Sequence, residues 1–395
     1  MVGLLSSLMQ TSTPAPIALV AREDPHQAHT WSGIPANLAA ALAAQGVATL
    51  PIQSQPVRLR RLVDYHALHL TLHMPPLCLV PSRLARAHES RVAAHRLECY
   101  PHVSRVIAMG DHLHPAHLPG RTVTLFVDQC MANIMHYARR HGFPGGYEIH
   151  ARTWREQWAW QNSVFRQASL VFTASEWTRA AIIRQHGATP ERVVTVGFGA
   201  SIKPPSSAVP APCREPGTLL FVGYEWERKG GPLLVDAFRT LRQAIPDARL
   251  IVAGCQPVLD EPGVTVLGPV GKEDLAILYA RATLFVMPSL YEPFGIVYLE
   301  AMRYGLPVVA LRRNAASEIV DDGVTGALCD ADSPHALAAL LRQLLDQPAI
   351  LFTMSAAATE NVARHWTWEA VARRMLAAFD ARVPTADAAL TRRSA

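Results

Sequence analysis

Short apolar runs recur along the chain, each closed by a polar, glycine-bearing or proline-bearing loop. In the first half they lie at residues 17–21, 122–127, 168–175 and 193–196. In the second half they lie at 218–222, 249–254, 264–268, 282–288 and 307–311. Runs of this length without polar alternation suit strands buried on both faces, as in parallel sheets. Between them, residues 37–44, 294–304 and 336–345 carry apolar positions at helical spacing. Glu176 opens another helix, with Ser175 as N-cap. The alternation predicts an α/β class in both halves. At 395 residues and 50% hydrophobic, the chain is too long for one ordinary core and suits two domains. Residues 201–216, with Pro204, Pro205, Pro210, Pro212 and Pro216 among serines, read as a linker between residues 1–200 and 217–366. Residues 1–16 read as a loose tail and 384–395 as a disordered one.

One stretch concentrates the chemistry. It runs Ser289-Leu-Tyr-Glu-Pro-Phe-Gly-Ile-Val-Tyr-Leu-Glu300, between an apolar run closed by Pro288 and a helical segment ending at Gly305. It is a strand–loop–helix corner, and in open α/β sheets ligands bind at such carboxyl-end corners. Phe294, Gly295 and Ile296 would present free N–H groups at a helix start, suited to a diphosphate. Gly295 allows close approach to the backbone. Glu300, placed about two turns into the segment, is acceptor-only when ionised and can take two bonds from the vicinal diol of a ribose. Glu292 sits at the cleft edge, within reach of sugar hydroxyls. An acidic first helical turn with one buried, paired Glu is the plainer alternative.

A second corner follows residues 218–222. Gly223 permits backbone approach, and Arg228 and Lys229 supply cations for a diphosphate leaving group. A simple basic loop before a helix also fits these residues. In the first half, Gly33 lies between a strand and a helix, where phosphate or acceptor could approach; a plain βα turn fits it equally.

Composition narrows the partners. The net charge of +5 rests almost wholly on Arg, because Lys203, Lys229 and Lys272 are the only lysines. That balance suits anionic ligands; with no RRM-like or zinc-finger pattern, nucleic acid is not expected. The six cysteines form no CxxC, which argues against a disulfide framework or structural zinc. No signal-peptide pattern and no apolar run near 20 residues is present, so a cytoplasmic chain is expected. Arg58, Arg60, Arg61, Arg83, Arg86, Arg91 and Arg96 could form a basic face toward an anionic membrane or phosphorylated acceptor, or simply a solvated surface. His112, His114 and His117 have spacing that permits a metal, but more readily read as structural. His66, His69 and His73 share a helical face and also read as structural. Asp330 and Asp332 form a DxD that Ser333 and Pro334 turn into a helix start, not a metal motif.

Glu292-Pro-Phe-Gly295 with Glu300 resembles the E-x7-E signature of retaining, nucleotide-sugar-dependent glycosyltransferases of family 4. The resemblance implies the GT-B fold, two Rossmann-like domains facing across a cleft, with a C-terminal helix at 367–383 packing back on the first. It implies transfer of a hexose from a UDP- or GDP-linked donor to the hydroxyl of a glycan, lipid-linked or small-molecule acceptor, with retention. No cofactor and no metal is expected. Lys229 fits the family's Lys six residues after Gly223. Tyr224 stands where the family often has Arg, and Arg228 would supply that charge. Asp128, at the end of the 122–127 strand, stands where many relatives have a His facing the reacting sugar. A GT-B epimerase or phosphorylase, or a non-catalytic nucleotide-sugar-binding protein, would use the same groups.

Overall fold

The structure, a computed structural model, describes residues 15–27, 30–55, 83–142, 151–202 and 214–382. Most of the expected tail at 1–16, all of that at 384–395, most of the expected linker at 201–216 (residues 203–213), and Arg58, Arg60, Arg61, His66, His69 and His73 lie outside the described residues.

Six strands form the first sheet: β1 (Ile17–Ala21), β2 (Thr49–Gln53), β3 (Arg105–Met109), β4 (Thr122–Val127), β5 (Leu170–Thr173) and β6 (Val193–Thr195). Six more form the second: β7 (Thr218–Val222), β8 (Arg249–Ala253), β9 (Val264–Gly268), β10 (Leu284–Val286), β11 (Val308–Leu311) and β12 (Gly326–Cys329). All named pairings are parallel, in the orders β2-β1-β3-β4-β5-β6 and β12-β11-β10-β7-β8-β9. In the second sheet the chain winds outward from β7 to β9, then returns to lay β10 against the other edge of β7. That reversal opens a crevice at the carboxyl ends of β7 and β10, the usual ligand position in such sheets.

The helices of the first half are α1 (Ile34–Ala43), α2 (Arg83–Glu98), α3 (Met131–His141), α4 (Ala151–Gln167) and α5 (Glu176–His186). Those of the second are α6 (Gly231–Ala244), α7 (Lys272–Arg281), α8 (Ile296–Arg303), α9 (Ala316–Ile319), α10 (Pro334–Leu345), α11 (Pro348–His365) and α12 (Trp368–Arg382). The pleat sends Ile17, Leu19 and Ala21 to one core and Ala18 and Val20 to another, so β1 is apolar throughout. Ser175 caps α5 as expected, its Oγ accepting from Thr178 N at 3.2 Å. Ser333 occupies the N-cap of α10, but its side chain makes no capping bond there; Pro334 alone carries the start signal.

Helix α12 lies against the first half. Gln45 Nε2 donates to Glu369 O, Arg374 Nε donates to Val196 O, and the Phe379 ring meets Phe172 edge-on at 5.4 Å. No described helix is long and apolar enough to cross a membrane.

Candidate active site

A cavity of about 790 Å³ separates the carboxyl edges of the two sheets. From the second half it is walled by Gly223, Arg228, Lys229, Glu292, Phe294, Gly295, Ile296 and Glu300, and from the first by Asp128. Gly33 does not reach the wall. It is buried at φ 78, and Trp31 (φ 44) and Ser32 (φ 57) precede it in the same left-handed region. Non-glycine residues there cost roughly 1–2 kcal/mol each. The strained turn carries Trp31 and Ser32, not Gly33, to the cavity. Trp31 is held by edge-on contacts with Phe126 and Phe198, and Phe198 meets Phe294 from the other half.

The helix expected from Phe294 starts two residues later, because Gly295 at φ 94 is its N-cap. Glu300 is therefore one turn into α8, not two. A Cβ on Gly295 would meet the Tyr298 ring at 2.5 Å, so both conformation and space require glycine here. Among the described residues, the N–H groups of Gly295, Ile296 and Val297 have no backbone or side-chain acceptor, and all three residues line the cavity. Glu300 is 6% exposed and accepts from Tyr279 Oη at 3.3 Å. Burial raises its pKa to about 7, although Tyr279, the Lys272 charge and the Ile202 backbone pull the other way.

The cations lie deeper than their place at a loop mouth suggests. Lys229 is 9% exposed, and its Nζ donates to Glu292 Oε2 at 2.8 Å. Arg228 Nη1 donates to Tyr291 O at 2.5 Å and stands 3.7 Å from Glu292 Oε2, while its Nε and Nη2 hold Glu225. Burial alone would raise the Glu292 carboxyl, but Lys229 and Arg228 hold it below its ordinary value. The space above Gly223 is filled by the Lys229 stem, which a Cβ would meet at 2.2 Å. The glycine thus admits the lysine, and the lysine faces the ligand space.

Among the described residues, Asp128 is the one first-half carboxylate in the wall. Burial, aided by the Glu292 charge, raises it to about 6 against two backbone hydrogen bonds and Arg228. Next to it, Tyr291 Oη donates to Gln129 Oε1 at 2.6 Å across the cleft. Glu318 on α9 accepts from the backbone N–H groups of Glu176 and Trp177 at 2.6 and 2.7 Å, capping α5 from the opposite half.

Lys272 and Ser201 also line the cavity and were not singled out as site residues from the sequence, and Tyr224 joins them there. Lys272 carried one usable signal, being one of three lysines.

Of the residues expected to form a basic face, Arg91 is exposed, and two others are turned inward. Arg86 pairs with Asp111, and Arg96 donates to Gln53 O, so both turn into the fold. His114 bonds Ser163 Oγ and His117 bonds Ser90 Oγ, which consumes them structurally. Asp330 and Asp332 pair with Arg312 and Arg313. No group of three or more His, Cys, Asp or Glu among the described residues could hold a metal.

The paired parallel sheets and the cleft between them define a GT-B fold. Sucrose-phosphate synthase from Thermosynechococcus elongatus matches it with a TM-score of 0.68 at 22% identity, over 92% of this chain and 98% of that one. Anabaena HepE, solved with UDP and glucose, matches with a TM-score of 0.62 at 18% identity, over 92% and 98%. Residues 216–347 match the family described as glycosyl transferases group 1. Mycobacterium tuberculosis glycogen synthase is 28% identical over 265 residues, 64% of each chain. A Corynebacterium glutamicum D-inositol 3-phosphate glycosyltransferase is 30% identical over 226 residues, 50% of this chain and 54% of its own. The matched part thus spans less than two thirds of either curated relative.

Proposed function

We propose that the chain is a retaining hexosyltransferase that takes a hexose from a UDP- or GDP-linked sugar and delivers it to the hydroxyl of a glycan, lipid-linked or small-molecule acceptor. The observation that carries this reading is the meeting, in one cavity, of Glu300, the Lys229–Arg228–Glu292 cluster and the open N–H groups of α8. In this reading Glu300 accepts from the donor ribose. Lys229 and Arg228, paired here with Glu292 and Glu225, supply the cations for the diphosphate. The α8 amides receive phosphate or sugar oxygens. Glu292 and Asp128 accept hydroxyls of the reacting sugar, Asp128 taking the place the family often gives to His.

The bond between the anomeric carbon and the diphosphate breaks, and a bond to the acceptor oxygen forms on the same face. The acceptor proton passes to the departing phosphate oxygen, so no strong protein base is needed. The two cations stand where a divalent metal would otherwise be wanted, and the donor is a substrate, not a cofactor. HepE, solved with UDP and glucose, supports the donor class, and the group 1 family match supports glycosyl transfer. Contact with an anionic membrane has no support from Arg86 and Arg96, which face inward.

The test is a thermal-shift panel of UDP, GDP and their hexose conjugates, followed by NMR of the product made with an acceptor. A native-state ligand raises Tm by mass action. One nucleotide series should raise Tm, and the product should keep the donor's anomeric configuration. No shift with any nucleotide overturns the donor site, and an inverted product overturns retention.

A further inference from the structure

A second cavity, of about 300 Å³, opens in the first half among α3, α4 and α5. Met135, His136 and Arg139 form one stripe of α3, Trp154 and Trp158 stand one turn apart on α4, and Gln185 comes from α5. The indole centroids of Trp154 and Trp158 are 6.0 Å apart with the rings inclined at 45°, so the pair makes a bent aromatic wall. The Trp158 ring lies 4.6 Å from His186, which is buried and bonded to Asn162 Oδ1 at 2.8 Å. Trp158 is thus backed by an anchored ring. His136, Arg139 and Gln185 are exposed.

This combination selects a ligand class. Flat aromatic faces suit the apolar C–H face of a pyranose, while a guanidinium fork, an imidazole and a carboxamide meet its equatorial hydroxyls. A purely apolar ligand would leave the three polar groups unused. A nucleotide would stack as well, but among the described lining residues Arg139 is the one guanidinium for its phosphates.

The cavity is joined to the cleft by α3 itself. That helix begins just after Asp128 and Gln129, and Tyr137, on its next face, meets Tyr291 across the cleft at 5.2 Å. At 1.5 Å of rise per residue, Met135 to Arg139 lie about 6–12 Å along the axis from Met131, where α3 starts three residues after Asp128. That is a span of a few sugar units.

We propose that this cavity is an outer acceptor subsite, holding one pyranose ring of an oligosaccharide whose reacting end lies in the cleft beside Asp128. The proposal rests on the glycosyl-transfer reading and names its acceptor class: a glycan of several units, not a small molecule.

The experiment is a printed array of neutral and acidic oligosaccharides, probed with the labelled full chain in the presence of 1 mM UDP or GDP (roughly 1,000-fold above a micromolar Kd). Wild type should retain at least one glycan. Trp154→Ala and Arg139→Ala should lose that glycan at least tenfold, and Trp154→Phe should keep most of it. The melting temperature of each variant shows whether it is folded, and Arg139→Ala, at an exposed position, guards against an unfolded Trp154→Ala. Equal retention by Trp154→Ala and wild type overturns the subsite, as does an array with no retained glycan. Competition of a retained glycan by nucleotide in the Glu300→Ala background overturns it too, by assigning the cavity to nucleotide. If no nucleotide shifts Tm while the Trp154-dependent retention persists, the donor reading fails and the glycan site stands.

Discussion

Lys229 Nζ lies 2.8 Å from Glu292 Oε2, although 63 positions separate the two residues along the chain. Both are less than a tenth exposed. The contact exists because β7 and β10 are neighbours, so the loops that leave them converge.

Lys229→Ala is therefore expected to act twice. It removes a cation that matters most as charge grows on the leaving diphosphate, so turnover should fall more than donor binding. It also strips a buried carboxylate of its nearest partner, a loss of about 3–5 kcal/mol where nothing compensates; Arg228, at 3.7 Å, will recover part of it. Adding Glu292→Gln should restore the melting temperature without restoring turnover. Urea unfolding and steady-state kinetics on both variants decide this. Wild-type turnover with a raised KM in Lys229→Ala would remove the leaving-group role.

Glu300→Ala is expected to weaken the donor by about 1.5–3 kcal/mol, the worth of hydrogen bonds to a charged group. Because burial lifts its carboxyl to about 7, wild-type donor affinity should climb as pH rises through that value, and Glu300→Gln should flatten the climb. Calorimetric titrations at pH 6 and 8 measure both. A pH-independent wild-type affinity would take Glu300 out of the ribose contact.

The same two raised carboxyls fix a stability trend. Glu300 titrates near 7 when folded against an ordinary 4.5, and Asp128 near 6 against 3.8. Between those values the folded state holds more protons than the unfolded one. Stability from this source is full below about pH 4 and is lost as pH rises through 6 to 7. Buried His112 and His186, pushed down to about 4 by desolvation, oppose this trend, so the carboxyl share is read as a difference: Glu300→Gln with Asp128→Asn should raise the melting temperature at pH 8 relative to that at pH 5, compared with wild type. An unchanged slope in the double variant counts against both assignments.

Glu318→Ala removes a cap that one half places on a helix of the other. Loss of an N-cap acceptor costs about 0.5–2 kcal/mol. The Tyr291–Gln129 bond across the cleft would remain. A lower melting temperature together with a larger radius of gyration in small-angle scattering is expected. An unchanged radius would mean that the other contacts suffice to hold the halves together.

Much of this was legible in the sequence where the signal was local. The corner from Ser289 to Glu300 lies in one continuous stretch, so its strand, its glycine and its two carboxylates could be placed by spacing alone. Gly223 and Lys229 were legible for the same reason. What the spacing could not supply was partnership. Nothing near Arg86 in the chain announces Asp111, and nothing near Arg96 announces the carbonyl of Gln53, so both looked like surface charge. Gly33 looked like a ligand contact because the left-handed turn through Trp31 and Ser32 that buries it depends on distant Phe126 and Phe198. Lys272 reaches the cavity only because the second sheet brings α7 beside α8.

Helix α12 imposes an order on biosynthesis. Its Phe379 and Met375 are fully buried, and Phe379 meets Phe172 of the first sheet, yet the ribosome makes them after every strand of the second. Multidomain chains commonly finish their N-terminal unit first as it emerges. Here that unit must wait, with the apolar face around β5 and α1 uncovered until the distant helix arrives. The nascent chain thus carries an uncovered apolar face throughout synthesis of the second half, and a truncated product would leave that face exposed.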